Sequence, residues 1–262
     1  MKNIIKKSVI FYLINDNQIH LNRLFSSLYL LNKNFLSSYP YPVVFGHEGL
    51  PQDAIDHIKK ILNVETHFFN INFILPDYTE EIKNKIPFKF KGHWDENAFF
   101  SIGYRHMCRL FSGDIFNYDF FSNVDYFLRL DCDSYFIDEI KYDIFDFVKT
   151  NNILYATVGE RQNEMDYVIE GFEDFCKNYF KDAYRSDCIN NTFDTHFELI
   201  NFKWFKEGPY MKYFKAIDDT ANIFIKRWGD APIKYQGVKN LIPSQQIHIF
   251  DLPYKHGGDY AI

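Results

Sequence analysis

The stretch "MKNIIKKSVIFYLINDNQ", residues 1–18, decides how the chain is read. Lysines followed by an apolar run imitate a secretory signal. The run itself, SVIFYLI, is only seven residues long, and it stops at Asn15 and Asp16 with no small-residue cleavage site. We therefore take residues 8–14 as the first core strand, and the fold follows outward from them. "NQIHLNRLFSSLYLLNKNF" places Leu24, Leu28 and Leu31 at helical spacing. "YPVVFGH" predicts a second strand, "PQDAIDHIKKIL" a helix opened by Pro51, and "ETHFFNI" a third strand. Strand and helix in alternation predict a parallel α/β sheet, whose ligands sit at the carboxyl ends of its strands. No GxGxxG is present, so a dehydrogenase-type dinucleotide fold is unsupported.

The rest of the composition agrees. In 262 residues, 47% are hydrophobic and 19% aromatic, enough for one sizeable core and incompatible with disorder. A formal net charge of -6 argues against nucleic acid as a partner. No run approaches the roughly 18–20 apolar residues of a membrane span, and the expected location is soluble and cytoplasmic. Cys108, Cys132, Cys176 and Cys188 show no CxxC pairing, so neither a zinc knuckle nor a disulfide framework is indicated. With no linker or repeat, one domain over residues 1–262 is expected.

Candidate chemistry begins at "DYFLRLDCDSYF", residues 125–136. A core strand runs past Arg129 and ends with Asp131 and Asp133 flanking Cys132. Two carboxylates there need positive charge beside them, and a divalent cation with a bound diphosphate supplies it. A polar strand terminus is the plain alternative. A helix is expected around residues 95–116. Within it, "GYRHMCRLFSG" sets Arg105 and Arg109 four apart, a cationic patch or a solvated face. In "HFELINF", strand alternation favours an outward-turned Glu198, the other reading being a buried acid with a raised pKa. In "RWGDAPI", Asp230 reads as part of a tight turn. His256 precedes two glycines in "IHIFDLPYKHGG", a loop that is able to close over a metal.

These segments occur together and in this order in one family. The chain resembles the fungal glycolipid 2-alpha-mannosyltransferases, most specifically in "YRHMCR" and "RWGDAP". The resemblance spans about residues 90–260 and fades to a shared strand–helix pattern before that. It implies a GT-A fold: a Rossmann-like nucleotide-sugar and metal half (about 1–135) fused to an acceptor and catalytic half (about 136–262) around a mixed central sheet. It implies Mn²⁺, with Mg²⁺ as alternative, held by Asp131, Asp133 and His256, with Asp131 standing where the family has glutamate. Donor or phosphate contacts fall to Arg105, Arg129 and Asp131. Glu198 is implied as nucleophile or oxocarbenium stabiliser, Asp230 as a sugar-pocket acid and Tyr104 as an active-site tyrosine.

The expectation is thus a retaining transferase moving mannose from GDP-mannose to a glycan hydroxyl, in alpha-1,2 linkage by resemblance. A UDP-sugar donor on the same fold, or a catalytically silent sugar-binding relative, are the alternatives. A glycoside hydrolase is a weaker rival, since it gives the Asp131/Asp133 pair and His256 no shared role.

Overall fold

The computed structural model describes residues 7–87, 90–91, 99–162, 164–185 and 189–260. Cys188 and the opening lysines Lys2 and Lys6 lie outside the described residues, as do residues 92–98, which hold the start of the helix expected from 95.

The expected alternation is present. Strand β1, Ser8–Ile14, is followed by helix α1, Gln18–Leu31, strand β2, Val43–His47, helix α2, Gln52–Ile61, and strand β3, Thr66–Asn70. The Asn17 side chain starts α1 by accepting from the backbone N–H of Ile19 and His20. Leu24, Leu28 and Leu31 are fully buried on its inner face. Helix α3, Ile102–Ser112, is capped by the Ser101 hydroxyl, which accepts from Tyr104 N–H at 3.2 Å. Next come strands β4, Tyr126–Leu130, β5, Ser134–Phe136, β6, Tyr155–Thr157, and β7, Phe197–Asn201. Helices α4, Pro209–Asp218, and α5, Asp230–Leu241, precede strands β8, Ile247–Ile249, and β9, Tyr254–His256.

Seven strands form one sheet in the order β8-β6-β7-β4-β1-β2-β3. β7 is antiparallel to both β4 and β6, and the other pairings are parallel. Along β1, Val9 and Phe11 join the core on one face, while Ile10, Tyr12 and Ile14 join the core on the other. A parallel strand covered on both sides reads as an unbroken apolar run, which is why SVIFYLI resembled a signal peptide.

After β1 the chain builds outward through β2 and β3, then returns to place β4 on the other side of β1. That reversal is a topological switch point, where loops diverge and leave a crevice at the strands' carboxyl ends. Leu13 to Asn15 from β1 and Asp131 to Asp133 from β4 line a cavity of about 500 Å³ there.

One glycine braces the helical layer over the sheet. A Cβ on Gly237 in α5 would stand 2.5 Å from Tyr210 Cε2 and 2.8 Å from Tyr213 Cε1. Glycine to alanine inside a helix ordinarily gains about 1 kcal/mol. Here Gly237→Ala is expected to cost about 1–3 kcal/mol by overpacking, read as a lower thermal midpoint.

Candidate active site

The β4/β7 register sets Glu198 directly opposite Arg129, so two side chains that neither strand alone identifies as partners share one face. Asp131, two residues beyond Arg129, falls on that face as well. Arg129 Nη1 donates to Asp230 Oδ2 at 2.6 Å and to Glu198 Oε2 at 3.2 Å, and Nε donates to Asp131 Oδ1 at 3.3 Å. The guanidinium lies 3.6 Å above the Phe111 ring. Tyr155 donates its hydroxyl to Glu198 Oε1 at 3.0 Å, and Lys234 Nζ stands 3.9 Å from the same oxygen. Arg129, Glu198, Asp230 and Lys234 are all buried.

Two cations thus face three carboxylates, a grouping with negative excess. Burial raises the Glu198 carboxyl above its usual range, opposed by Lys234 and Arg129. Burial lowers the Lys234 amine, with Glu198 pulling the other way. Burial works against the Arg129 charge, but Asp131, Asp230 and Glu198 outweigh it and the net shift is upward.

Two expectations are corrected here. Glu198 is not turned to solvent: β7 is a central strand covered on both faces, so alternation does not mark an outward side. Asp230 is not a simple chain reversal but the first residue of α5, where a carboxylate also favours the helix N-terminus.

The end of β4 separates the two aspartates from Cys132, whose thiol turns back toward Leu13 O at 3.6 Å. His256, brought alongside by the antiparallel β9/β5 pair, has Nε2 at 3.1 Å from Asp133 Oδ1 and 3.9 Å from Asp131 Oδ2. Burial pushes the Asp133 carboxyl up, but the hydrogen bond and charge of His256 win, leaving it below the ordinary range. Among the described residues no group of three or more His, Cys, Asp or Glu is preset as a metal cage. Two carboxylates and one imidazole nonetheless suit Mn²⁺ or Mg²⁺, ions that complete their shell with substrate phosphates and water.

His196, which sequence reasoning passed over, supports this trio. Its ring stacks on His256 with centroids 3.7 Å apart and planes 7° from parallel. Tyr254 donates to Ser134 Oγ at 2.7 Å, so the 2.9 Å contact between His196 Nδ1 and Tyr254 Oη has the imidazole as donor. Nε2 is then the acceptor from Arg161 Nη2 at 3.1 Å. Burial, with His256 and Arg161 nearby, depresses the His196 pKa to about 2, so this ring is neutral. Its position just before Phe197, in the same segment as Glu198, was the available signal.

Arg105 is not brought to the cleft. Its guanidinium is buried and donates to Phe224 O at 2.6 Å and Pro87 O at 2.7 Å. Arg109 pairs with Asp218 at 2.7 Å and Asp114 at 2.8 Å, so the pair forms neither a solvated face nor an open cationic patch. Tyr104, from the same helix, does line the cleft and accepts from Arg227 Nη2 at 3.0 Å. Burial raises its phenol pKa. Arg227 is itself buried, stacked 3.9 Å over Phe100, and holds a left-handed backbone (φ 60°), a strained conformation of the kind kept where surroundings fix it.

The family model for glycolipid 2-alpha-mannosyltransferase matches residues 2–261. The chain belongs to this family. The match includes the N-terminal strands and helices, so the likeness is not confined to residues beyond 90. "Probable mannosyltransferase KTR3" of Saccharomyces cerevisiae is 31% identical over 176 residues, covering 62% of this chain and 44% of that protein. The glycolipid 2-alpha-mannosyltransferase of the same yeast is 26% identical over 260 residues, covering 90% and 58%. This chain therefore spans about half the length of these curated relatives. Core-mannan synthase A from Aspergillus fumigatus, solved in a Mn/GDP form, superposes with a TM-score of 0.82 at 18% identity, covering 96% of this chain and 74% of that one. The fold is GT-A, an α/β domain around a mixed seven-stranded sheet. Among the described residues no helix of this glycolipid 2-alpha-mannosyltransferase family member is long and apolar enough to cross a membrane.

Proposed function

We propose that this chain is a metal-dependent, retaining glycosyltransferase that moves mannose from GDP-mannose to a glycan hydroxyl, forming an alpha-1,2 linkage. One observation carries the reading. At the switch point of the sheet, Arg129 and Asp131 line the cleft, and Arg129 joins Asp131 of the prospective metal trio to the buried Glu198–Asp230 pair. The family relatives' names and the Mn/GDP form of core-mannan synthase A support it. About residues 1–135 are assigned the nucleotide-sugar and metal, and about residues 136–262 the acceptor and catalysis, with His256 reaching back to the metal and Tyr104 forward to the sugar.

Asp131, Asp133 and His256 would hold Mn²⁺, which supplies positive charge against the diphosphate as it leaves. Asn15, His20, Arg23 and Glu48 line the outer cleft, where the base and ribose would lie. Glu48 is an acceptor matched to guanine's adjacent N1–H and N2–H donors, whereas uracil offers a single N–H. At the sugar, the negative excess around Arg129 favours the positive charge that grows on the anomeric carbon. Glu198 is the carboxylate assigned to face that carbon, held in place by Arg129, Tyr155 and Lys234. Asp230 and Tyr104 orient the sugar hydroxyls. Retention is consistent with a double displacement through Glu198 or with front-face attack.

Asp133→Ala tests the assignment. Its second consequence, loss of the His256 contact, leaves the buried core untouched, so the variant is expected to fold. Calorimetric titration with GDP should show Mn²⁺-enhanced affinity in the parent and at least about a tenfold loss in the variant, roughly 1.4 kcal/mol. Equal Mn²⁺-dependent affinity in both proteins would remove the metal assignment.

A further inference from the structure

The basic side chains packed inside this protein are answered by acids or by backbone carbonyls. Arg129 meets three carboxylates, Arg109 meets Asp218 and Asp114, and Lys234 faces Glu198. Arg105 donates to the carbonyls of Phe224 and Pro87. Arg227 is different. It is 6% exposed, yet among the described residues no carboxylate pairs with it, and its buried Nε finds no acceptor. Nη2 donates to a neutral group, the Tyr104 hydroxyl, at 3.0 Å. The rings of Phe100 and Tyr104 flank the guanidinium at 3.9 and 4.9 Å. A buried charge without a counter-ion is costlier than an apolar residue of similar volume, so stability alone does not account for an arginine here. Its neighbours hold it in place. Lys226 reaches the exposed Glu170 at 3.3 Å, and buried Trp228 donates Nε1 to Glu170 O at 2.8 Å and packs on Phe172. Between them the left-handed backbone of Arg227 turns its side chain inward.

We infer that Arg227 is a positioning residue for the sugar end of the donor: it occupies the acceptor side of the Tyr104 hydroxyl and so delivers that hydroxyl's one proton to the cleft. The inference rests on the mannosyl-transfer reading above and adds, behind the tyrosine assigned to the sugar hydroxyls, the group that sets the direction of its hydrogen bond. A guanidinium has donors only and stays charged, so Tyr104 is obliged to accept from it. The phenol proton must then point elsewhere, and among the described residues it meets no acceptor. Tyr104 lines the same cavity as Arg129 and Asp131, and burial raises its pKa, so the proton is retained. The cleft is thus offered an O–H and not a lone pair. A hydroxyl that accepts from a cation is also the stronger donor, because hydrogen bonds in a chain polarise one another. Phe100 keeps the pair aligned, with its ring 4.7 Å from that of Tyr104. Without Arg227 the hydroxyl is free to turn about its C–O bond and either donates or accepts.

The experiment is calorimetric titration of GDP and of GDP-mannose, each with Mn²⁺, into the parent, Arg227→Met, Tyr104→Phe and the double variant. Arg227→Met and Tyr104→Phe should each weaken GDP-mannose about fivefold, the size of one lost hydrogen bond, with the GDP dissociation constant held within about twofold. The double variant should bind GDP-mannose no more weakly than Tyr104→Phe alone, because a contact that acts through Tyr104 is lost only once. Arg227→Lys keeps a charge and a donor but not the flat stack, and should retain part of the affinity. The positioning role is overturned if Arg227→Met binds GDP-mannose like the parent, loses GDP equally, or adds its full loss to that of Tyr104→Phe. It is overturned as well if the chain folds with neither Arg227→Met nor Arg227→Lys, which would make the arginine structural. A parent that binds neither nucleotide overturns the mannosyl-transfer reading instead.

Discussion

Glu198→Gln is expected to bind GDP and Mn²⁺ as the parent does and to lose mannosyl transfer by about 10³-fold or more. The substitution keeps shape and keeps an acceptor for the Tyr155 hydroxyl, which donates to Oε1 at 3.0 Å. What it removes is the charge opposing Arg129 and Lys234, and with it the negative excess around Arg129. A neutral amide neither traps nor compensates an oxocarbenium-like centre. Single-turnover transfer measured beside a GDP titration separates the two effects. Turnover within a few-fold of the parent would move the chemistry away from Glu198.

Arg129→Leu carries the largest expected effect on stability. The side chain is buried against Phe111 and bridges three carboxylates, so its removal leaves Glu198 and Asp230 without their nearest cation. Breaking a buried pair from one side costs about 3–5 kcal/mol, which for a domain of this size lowers the thermal midpoint by about 6–20 °C. The loss should depend on pH in a definite direction. Glu198 already sits above its ordinary range, mainly through burial, and losing Arg129 takes away one of the charges that hold it down. In the variant the native state therefore binds more protons than the unfolded chain, and stability falls as pH rises. Melts at pH 5 and pH 8 should show the deficit larger at pH 8. A deficit that is the same at both, or a midpoint unchanged from the parent, would contradict the account of Arg129 as the charge centre of the fold.

Much of the architecture was legible in the residues, for reasons of periodicity. β1 is the unbroken apolar run at 8–14, and α1 is the Leu24, Leu28, Leu31 spacing, because burial on two faces and burial on one stripe leave different patterns. The strand-end aspartates and the loop histidine were each readable as metal candidates, but only the resemblance joined them into one proposed trio, since Asp131 and His256 are 125 positions apart and meet because β9 pairs with β5. Patterns of one strand failed where neighbours decide. Glu198 was expected outward because alternation speaks of one face, whereas β7 has β4 and β6 beside it and a layer on each side. Arg105 was expected at the substrate because an arginine on a helix reads as available, yet its donors end on the backbone carbonyls of Phe224 and Pro87. Tyr155, Lys234 and His196 escaped notice for the same reason: their roles come from cross-strand register and helix docking, which no local spacing encodes.

The central claim is that the cleft takes a guanine nucleotide through a divalent metal. The most direct measurement is thermal unfolding of the purified protein with GDP, GDP-mannose, UDP and UDP-sugars, each with and without Mn²⁺. A ligand present at 100 times its dissociation constant adds about 2.7 kcal/mol of stability, a shift well within reach of a melt. The account predicts stabilisation by GDP and GDP-mannose that requires Mn²⁺, with little from uracil nucleotides. Stabilisation by uracil nucleotides alone, or by none of the four, would contradict it.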